Sequence, residues 1–159
     1  MSFQQAPLNV NEAMVDERRR PSKTFIEWIT SALVTPVETA AQRLAAVSVS
    51  GQSASIGTTA IPTAALTAGL YLVSYYARIT QAGTVSSSLT VTLHWTESTL
   101  ALTVTGAAMT GNTTTTVQSG THLVRIDASS PVSYSTTYAS VGATAMQYRL
   151  DVVLERVAA

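Results

Sequence analysis

The sequence holds few side chains that could serve as a nucleophile, a general base or a metal ligand. Its two histidines, His94 and His122, each fall on what we take to be the polar side of a predicted strand. A Ser/His/Asp arrangement could be completed with Asp127 or Asp151, but no nucleophile-elbow sequence surrounds any serine. A metal site would need a third ligand at a recognisable spacing. We therefore predict no catalytic activity, no metal site and no cofactor.

Two further patterns could carry chemistry through binding. Asn112-Thr113-Thr114 matches a glycosylation sequon, but it also has the composition of a Thr-rich turn, which is the interpretation we favour. Five of the tyrosines could form a sugar-binding platform, although tyrosines on strands more often belong to a core or to the rim of an interface. These five are Tyr75, Tyr76, Tyr134, Tyr138 and Tyr148.

Composition excludes several classes of protein. The 159 residues carry a formal net charge of zero, which disfavours a general attraction to nucleic acid or to an anionic membrane. There is no cysteine, so disulfides and thiolate metal sites are excluded. The first twenty residues lack the apolar region of a signal peptide, and no apolar run is long enough to span a membrane. We expect synthesis in a cytosol, with neither nucleic acid nor membrane as a partner.

Charge is distributed unevenly along the chain. Ten of the eighteen charged side chains lie in residues 1–44, and the remaining 115 residues hold eight, about 7 %. An average soluble domain has roughly 25 % charged residues. Such a surface gives a free monomer little protection against association. We expect much of it to be covered by copies of the same chain or by neighbours in an assembly, although a Thr-rich surface solvated through its hydroxyls is the alternative.

Residues 1–45 form the first predicted unit, an extended arm followed by two short helices. Pro21, and Thr24 with Glu27, have the spacing of a helix start, and Thr35-Pro36 repeats the signal. Helices of roughly ten residues are unstable alone in water, so their apolar side chains must dock, either on the chain's own β-domain or on a partner. The predicted anchor consists of Phe25, Ile26, Trp28, Ile29 and Leu33.

Residues 46–159 form the second predicted unit, a β-domain. The apolar period changes to two from Ala46, and turn residues recur at short intervals without a helical pattern between them. This organisation favours a mainly β fold, an antiparallel jelly-roll-like β-sandwich. The predicted strands are 46–50, 53–57, 70–80, 88–96, 99–105, 113–118, 121–127, 131–138 and 146–157.

The stretch GLYLVSYYARIT, residues 69–80, shows an unusual strand. One parity is almost wholly apolar or aromatic and is expected to face the core. The opposite parity is mixed, since it combines Leu70, Leu72 and Tyr76 with Ser74 and Arg78. A second face this apolar needs a partner of its own. We predict that Leu70, Leu72 and Tyr76 lie in an oligomer interface.

The same stretch resembles a strand of the C1q and tumour-necrosis-factor-like jelly rolls. The pattern Gly-x-Tyr-x-x-Ser-Tyr is matched by Gly69, Tyr71, Ser74 and Tyr75. Members of that family form tight three-fold trimers in which the second face of several strands is buried around the axis. The resemblance covers about a dozen residues and implies a homotrimer.

In organisation, residues 20–157 resemble the small structural proteins of tailed bacteriophages. These proteins attach to the particle through a short N-terminal segment and project a β-domain rich in Thr, Ser and Ala. The resemblance implies a non-enzymatic virion protein of the head, neck or tail, such as a capsid decoration protein or a fibre. Its partners would be its own copies and other virion proteins. The alternatives are a receptor- or carbohydrate-binding module of a phage fibre, an enzyme, and a secreted bacterial C1q-like protein.

Overall fold

The computed structural model describes residues 42–158, which form nine β-strands. The predicted arm, the two helices and the anchor residues Phe25, Ile26, Trp28, Ile29 and Leu33 lie outside the described residues. Nothing helical within 42–158 is long and apolar enough to cross a membrane. The strands are β1 (Gln42–Gln52), β2 (Thr59–Ala60), β3 (Gly69–Gln81), β4 (Ser86–Glu97), β5 (Leu100–Thr105), β6 (Met109–Thr110), β7 (Val117–Ile126), β8 (Ser133–Val141) and β9 (Gln147–Ala158).

The strands build two antiparallel sheets. The first, called the β3 sheet, has the order β1-β9-β3-β7. The second, called the β4 sheet, has the order β2-β8-β4-β5, with β6 also paired to β4. All the strand pairings are antiparallel. The chain therefore crosses repeatedly from one sheet to the other.

One hydrophobic core lies between the two sheets. In the β3 sheet, Val73 and Leu150 are fully buried, and in the β4 sheet Leu89 and Val91 are fully buried. Exposure alternates residue by residue along β3, β4 and β9, as period-two strands with one face on a core require. The predicted mainly β, antiparallel β-sandwich is confirmed.

Three local predictions are wrong. Residues 113–116, predicted to begin a strand, are a loop, because the hydroxyl oxygen of Thr113 accepts the backbone N–H of Thr115 and competes with strand pairing. Residues 53–57 are irregular and run beside β8, where the backbone of Ile56 bonds Thr136. Residues 42–45, predicted to end the N-terminal helical unit, lie in β1, because β9 provides a ladder that begins at Gln42.

A buried hydrogen-bond chain ties the irregular segment 53–58 to the core. The hydroxyl of Tyr148 donates to the carbonyl oxygen of Ala54 at 2.9 Å and lies 2.7 Å from the hydroxyl oxygen of Thr136. That oxygen accepts the backbone N–H of Ile56 at 2.8 Å. Desolvation by burial raises the pKa of Tyr148 above its ordinary value, which keeps the phenol protonated and able to donate. The network therefore links β9, β8 and the segment that follows β1.

Tyr148→Phe should lower the free energy of unfolding by about 1–3 kcal/mol, because the Ala54 carbonyl and the Thr136 hydroxyl would lose a buried partner. Urea titrations at one fixed protein concentration would measure the change. Thr103→Val is the control, since it also removes one hydroxyl but at an exposed position of β5, and it should shift the unfolding free energy by less than about 0.5 kcal/mol. Equal midpoints for the two variants would contradict the role assigned to this network.

Candidate functional site

The two histidines lie in different parts of the sandwich. His94 is on the outer face of the β4 sheet, where its Nε2 lies 2.8 Å from the hydroxyl oxygen of Ser135. His122 was expected on the polar parity of its strand, and this is wrong. It shares a parity with the buried Val124 and Ile126, and its ring stacks on that of Tyr75 at 6.4 Å between centroids. The imidazoles belong to different sheets and do not form one site.

The two aspartates considered as triad members are both engaged elsewhere. The carboxylate of Asp127 accepts the backbone N–H groups of Thr99 and Ser98, and these hydrogen bonds lower its pKa. Asp151 is bound by Arg149, and this hydrogen bond is the main cause of its lowered pKa. Neither carboxylate bonds to a histidine. Among residues 42–158, no group of three or more His, Cys, Asp or Glu side chains is arranged to hold a metal.

Asn112, the asparagine of the glycosylation sequon, holds two loops together through its side-chain amide. The Oδ1 atom of Asn112 accepts the backbone N–H of Ser87, and its Nδ2 donates to the carbonyl oxygens of Gly83 and Val85. The amide therefore joins the loop before β7 to the loop before β4. A glycosylated amide could not keep both donated bonds. This geometry agrees with our interpretation of the segment as a turn.

The five tyrosines do not form an exposed platform. Tyr75, Tyr134 and Tyr148 are buried, and Tyr138 is half-buried with its hydroxyl donating to the carbonyl oxygen of Met146. Only Tyr76 of the five is exposed. Four of these side chains therefore serve the core, and the sugar-binding platform considered from the sequence is not present in this arrangement.

The predicted interface residues lie together on the outer face of the β3 sheet. Leu70, Leu72 and Tyr76 share one parity of β3, and the antiparallel register places Leu72 opposite Leu123 of β7. Val117, at the start of β7, lies opposite Arg78 of β3. We call this surface the β3–β7 patch; it consists of Leu70, Leu72, Tyr76, Val117 and Leu123.

Exposure within the β3–β7 patch rises toward the edge of the sheet. Leu70 is 38 % exposed and Tyr76 is 42 % exposed, while on β7 the values are 53 % for Val117 and 61 % for Leu123. Sequence reasoning found the three β3 residues and missed the two on β7. Val117 and Leu123 lie on the opposite parity to the apolar Val124 and Ile126, so the period of two predicts that they point outward. Their position beside β3 depends on a long-range strand pairing, which no local pattern predicts. Exposed apolar patches of this kind mark surfaces that bind other proteins.

The other half of the same face is charged. Arg149 of β9 donates two hydrogen bonds to the carboxylate of Asp151, one from Nε to Oδ2 at 2.8 Å and one from Nη2 to Oδ1 at 2.9 Å. This hydrogen bonding also raises the pKa of Arg149 above its ordinary value. Arg43 of β1 lies opposite Glu155 of β9 in the register. The β3–β7 half of the face combines the apolar patch with the hydrogen-bonded pair Ser74 and Thr121, whereas the β1–β9 half carries the charged pairs. Apolar side chains beside polar and charged ones are typical of a protein interface with a polar rim.

The outer face of the β4 sheet is chemically different. Its residues are almost all hydroxyl-bearing, as in the pair Thr92 and Thr105, whose hydroxyl oxygens lie 3.2 Å apart. No charged side chain lies on the outward parity of the strand pairs between Ser86 and Thr96, and the large apolar side chain there is Val141, which lies opposite Ser86 at the end of β8 and is 60 % exposed. Such a face can be solvated through its hydroxyls. The candidate functional surface of the described domain is therefore the β3–β7 patch.

A pocket of about 190 Å³ lies near the start of β3. Its wall is mostly apolar and includes Leu44, Leu66 and Tyr71. Arg156 also lines it, and its Nε atom is buried without a hydrogen-bond partner among the described residues. The lining suits an aliphatic group better than a polar substrate.

Comparisons with known proteins identify structures with a similar fold but no sequence family. No family model matches the sequence, and no curated protein matches it significantly. One similar structure is the acid-stable capsid of Helicobacter pylori bacteriophage KHP30, at 13 % identity, covering 72 % of this chain and 87 % of that one, with a TM-score of 0.39. Another is Eiger TNF from S. frugiperda, at 12 % identity, covering 75 % and 92 %, with a TM-score of 0.37. At these values neither likeness bears on function.

Proposed function

We propose that this chain is a non-enzymatic structural protein of a bacteriophage particle and that its β-sandwich is a jelly roll that associates with its own copies. The observation that carries the proposal is the β3–β7 patch, an exposed apolar surface on a domain with very few charges. Water contact with Leu123 and Val117 is unfavourable, and burial against a copy removes it. The strand orders β1-β9-β3-β7 and β2-β8-β4-β5 are those of a two-sheet jelly roll.

The oligomer is proposed to be a trimer. The support is the resemblance of the Gly69–Tyr75 stretch to the trimeric jelly rolls, together with the exposed apolar side chains Leu70 and Tyr76 on the outer parity of β3. An interface on one outer face leaves the hydroxyl-rich outer face of the β4 sheet in water. The mass of the purified chain from light scattering at micromolar concentration tests the trimer directly, since a monomer would exclude it and a dimer would exclude three-fold symmetry.

Attachment to the particle is proposed to run through residues 1–45, and in particular through Phe25, Ile26, Trp28, Ile29 and Leu33. Three anchors held on one oligomer bind a repetitive lattice much more tightly than a single anchor does, because the second and third binding events are intramolecular. The location is therefore the virion, after synthesis in the host bacterium, and the partners are other virion proteins.

Trp28→Ala should leave the β-domain folded and oligomeric while lowering its incorporation into particles. Burial of a large aromatic side chain contributes on the order of 2–3 kcal/mol per anchor, and avidity multiplies the loss. The test is the amount of this chain in purified particles after a knockout is complemented with the variant, measured by quantitative mass spectrometry. We expect at least a tenfold reduction.

Trp28→Phe is the matched control and should retain most of the incorporation, because it keeps an aromatic ring at the same place. Circular dichroism and light scattering of both purified variants would show that folding and assembly are intact. Normal incorporation of Trp28→Ala would move the attachment surface to the β-domain. Absence of the wild-type chain from purified particles would overturn the virion assignment itself.

A further inference from the structure

Strand β7 forms an edge of the β3 sheet. Among the described strands it pairs with β3 alone, in a register that runs without a bulge from Gly69↔Ile126 to Arg78↔Val117. Its other side therefore presents a row of backbone N–H and C=O groups along ten residues. An edge of this length and regularity is a template for pairing with another strand.

The usual protections of an edge strand are missing from β7. The strand VQSGTHLVRI contains no proline and no lysine, and its only charged residue, Arg125, is next to its end. The ladder with β3 is not interrupted by a bulge that would twist the edge away. The most exposed members of the β3–β7 patch, Val117 and Leu123, are on this same strand. Whatever covers the patch must therefore reach the edge.

The opposite edge of the same sheet fits β7 in length and in direction. β1 has eleven residues, and three successive antiparallel pairings make it run opposite to β7. A copy placed so that it continues the sheet would bring its β1 beside β7 in antiparallel orientation. The outward side chains of β1 are small in the middle of the strand, where Ala46 and Ser48 lie. These small side chains allow β7 of another copy to approach β1 closely.

We propose that β7 of one copy pairs with β1 of the next, so that the β3 sheet is continuous between subunits. The proposal rests on the self-association put forward above and specifies its contact. Because the contact joins two different edges, it is heterologous, and repetition by rotation closes it into a ring. Pairing of β7 with β7 would instead give a dimer and would leave β1 without a role. A heterologous contact between β7 and β1 uses both edges of the β3 sheet.

Disulfide cross-linking can test this contact, because the chain has no cysteine of its own and only the introduced cysteines can react. Full-length double variants would combine Ala46→Cys or Ser48→Cys with Ser119→Cys or Thr121→Cys, and these four pairs sample the neighbouring registers. Within one copy β9 and β3 separate the two cysteines, and three strand spacings amount to about 14 Å. A disulfide requires Cα atoms less than about 7 Å apart. Any disulfide between β1 and β7 must therefore join different copies.

At least one double variant should give a ladder of covalent species on a non-reducing gel after mild oxidation, ending at the size of the native oligomer. We expect at least tenfold more cross-linked chain than for the single variants. The matched control is Ala101→Cys combined with Ala139→Cys, which places two exposed cysteines on the other sheet and should not cross-link above background.

Three outcomes would overturn the inference. Efficient cross-linking of Ser119→Cys or Thr121→Cys alone would show β7 against β7. An intact oligomer in which none of the four pairs cross-links would place the contact elsewhere, and the proposed structural role would stand. A monomeric wild-type chain would remove both the continuous sheet and the self-association.

Discussion

Leu150→Asp should leave the chain unable to fold. The Leu150 side chain is fully buried in β9, with Ala77 of β3 and Val49 of β1 as its neighbours in the register. An aspartate there would place a charge, or a neutral carboxyl group without partners, in the centre of the core. Domains of this kind are stable by only about 5–15 kcal/mol, so a cost of several kcal/mol removes most of the margin. We expect no cooperative thermal transition by circular dichroism.

Thr90→Asp is the matched control, because it makes the same charge on the outer face of the β4 sheet. Thr90 lies on the opposite parity to the buried Leu89 and Val91. That variant should fold and should melt close to the wild-type temperature. A normal transition for Leu150→Asp would show that the register of β9 is wrong.

Leu123→Asp should convert the oligomer into folded monomers. The side chain is 61 % exposed in the isolated chain, so the carboxylate stays hydrated in the monomer and folding is not impaired. In the proposed assembly the same carboxylate would lose hydration once in every subunit contact. We expect the apparent association constant to fall at least a hundredfold. Light scattering across a micromolar dilution series would measure it.

The matched control for this variant is Leu100→Asp. Leu100 of β5 is 62 % exposed, nearly the same as Leu123, but it lies on the other sheet and outside the β3–β7 patch. It should leave both the mass and the melting temperature of the oligomer unchanged. If the two variants dissociate equally, the loss would reflect added charge in general and the patch would not be the interface.

The core could be predicted from the sequence because it depends on a local pattern. Alternation in GLYLVSYYARIT assigns Tyr71, Val73 and Ile79 to one parity, and all three are buried. The last strand behaves in the same way at Leu150 and Leu154. A period of two requires only that one face of the strand meets a core, and in a sandwich this condition holds along nearly every strand.

Local propensity failed where a side chain competes with the ladder. Threonine favours strands, so residues 113–118 were expected to be one. The hydroxyl of Thr113 instead accepts the backbone N–H of Thr115, and only Val117 and Gln118 of that stretch belong to a strand. His122 shows a different error, since its polar character was taken to mean an outward position. Gly120 leaves room for the ring of Tyr75, against which His122 packs.

The candidate site was predictable only in part, for a topological reason. Leu70, Leu72 and Tyr76 belong to one strand, so their common face follows from the period alone. Leu123 joins them because β7 pairs with β3 across about fifty intervening residues of sequence, a distance over which no local pattern acts. The charged side chains of this face are brought together by the pairing of β1 with β9, which is also long-range in the sequence.

The position of β9 has a consequence for how the protein is made. β9 is the last strand in chain order, yet it lies inside the β3 sheet, paired with β1 on one side and with β3 on the other. While a ribosome is still producing the chain, β1 and β3 have no strand between them, and the core lacks the buried Leu150, Val152 and Leu154 of β9. The sheet can close only after residues 147–158 have emerged. Until then each nascent chain carries open strand edges and bare apolar surface, the state in which chaperones bind and neighbouring chains aggregate.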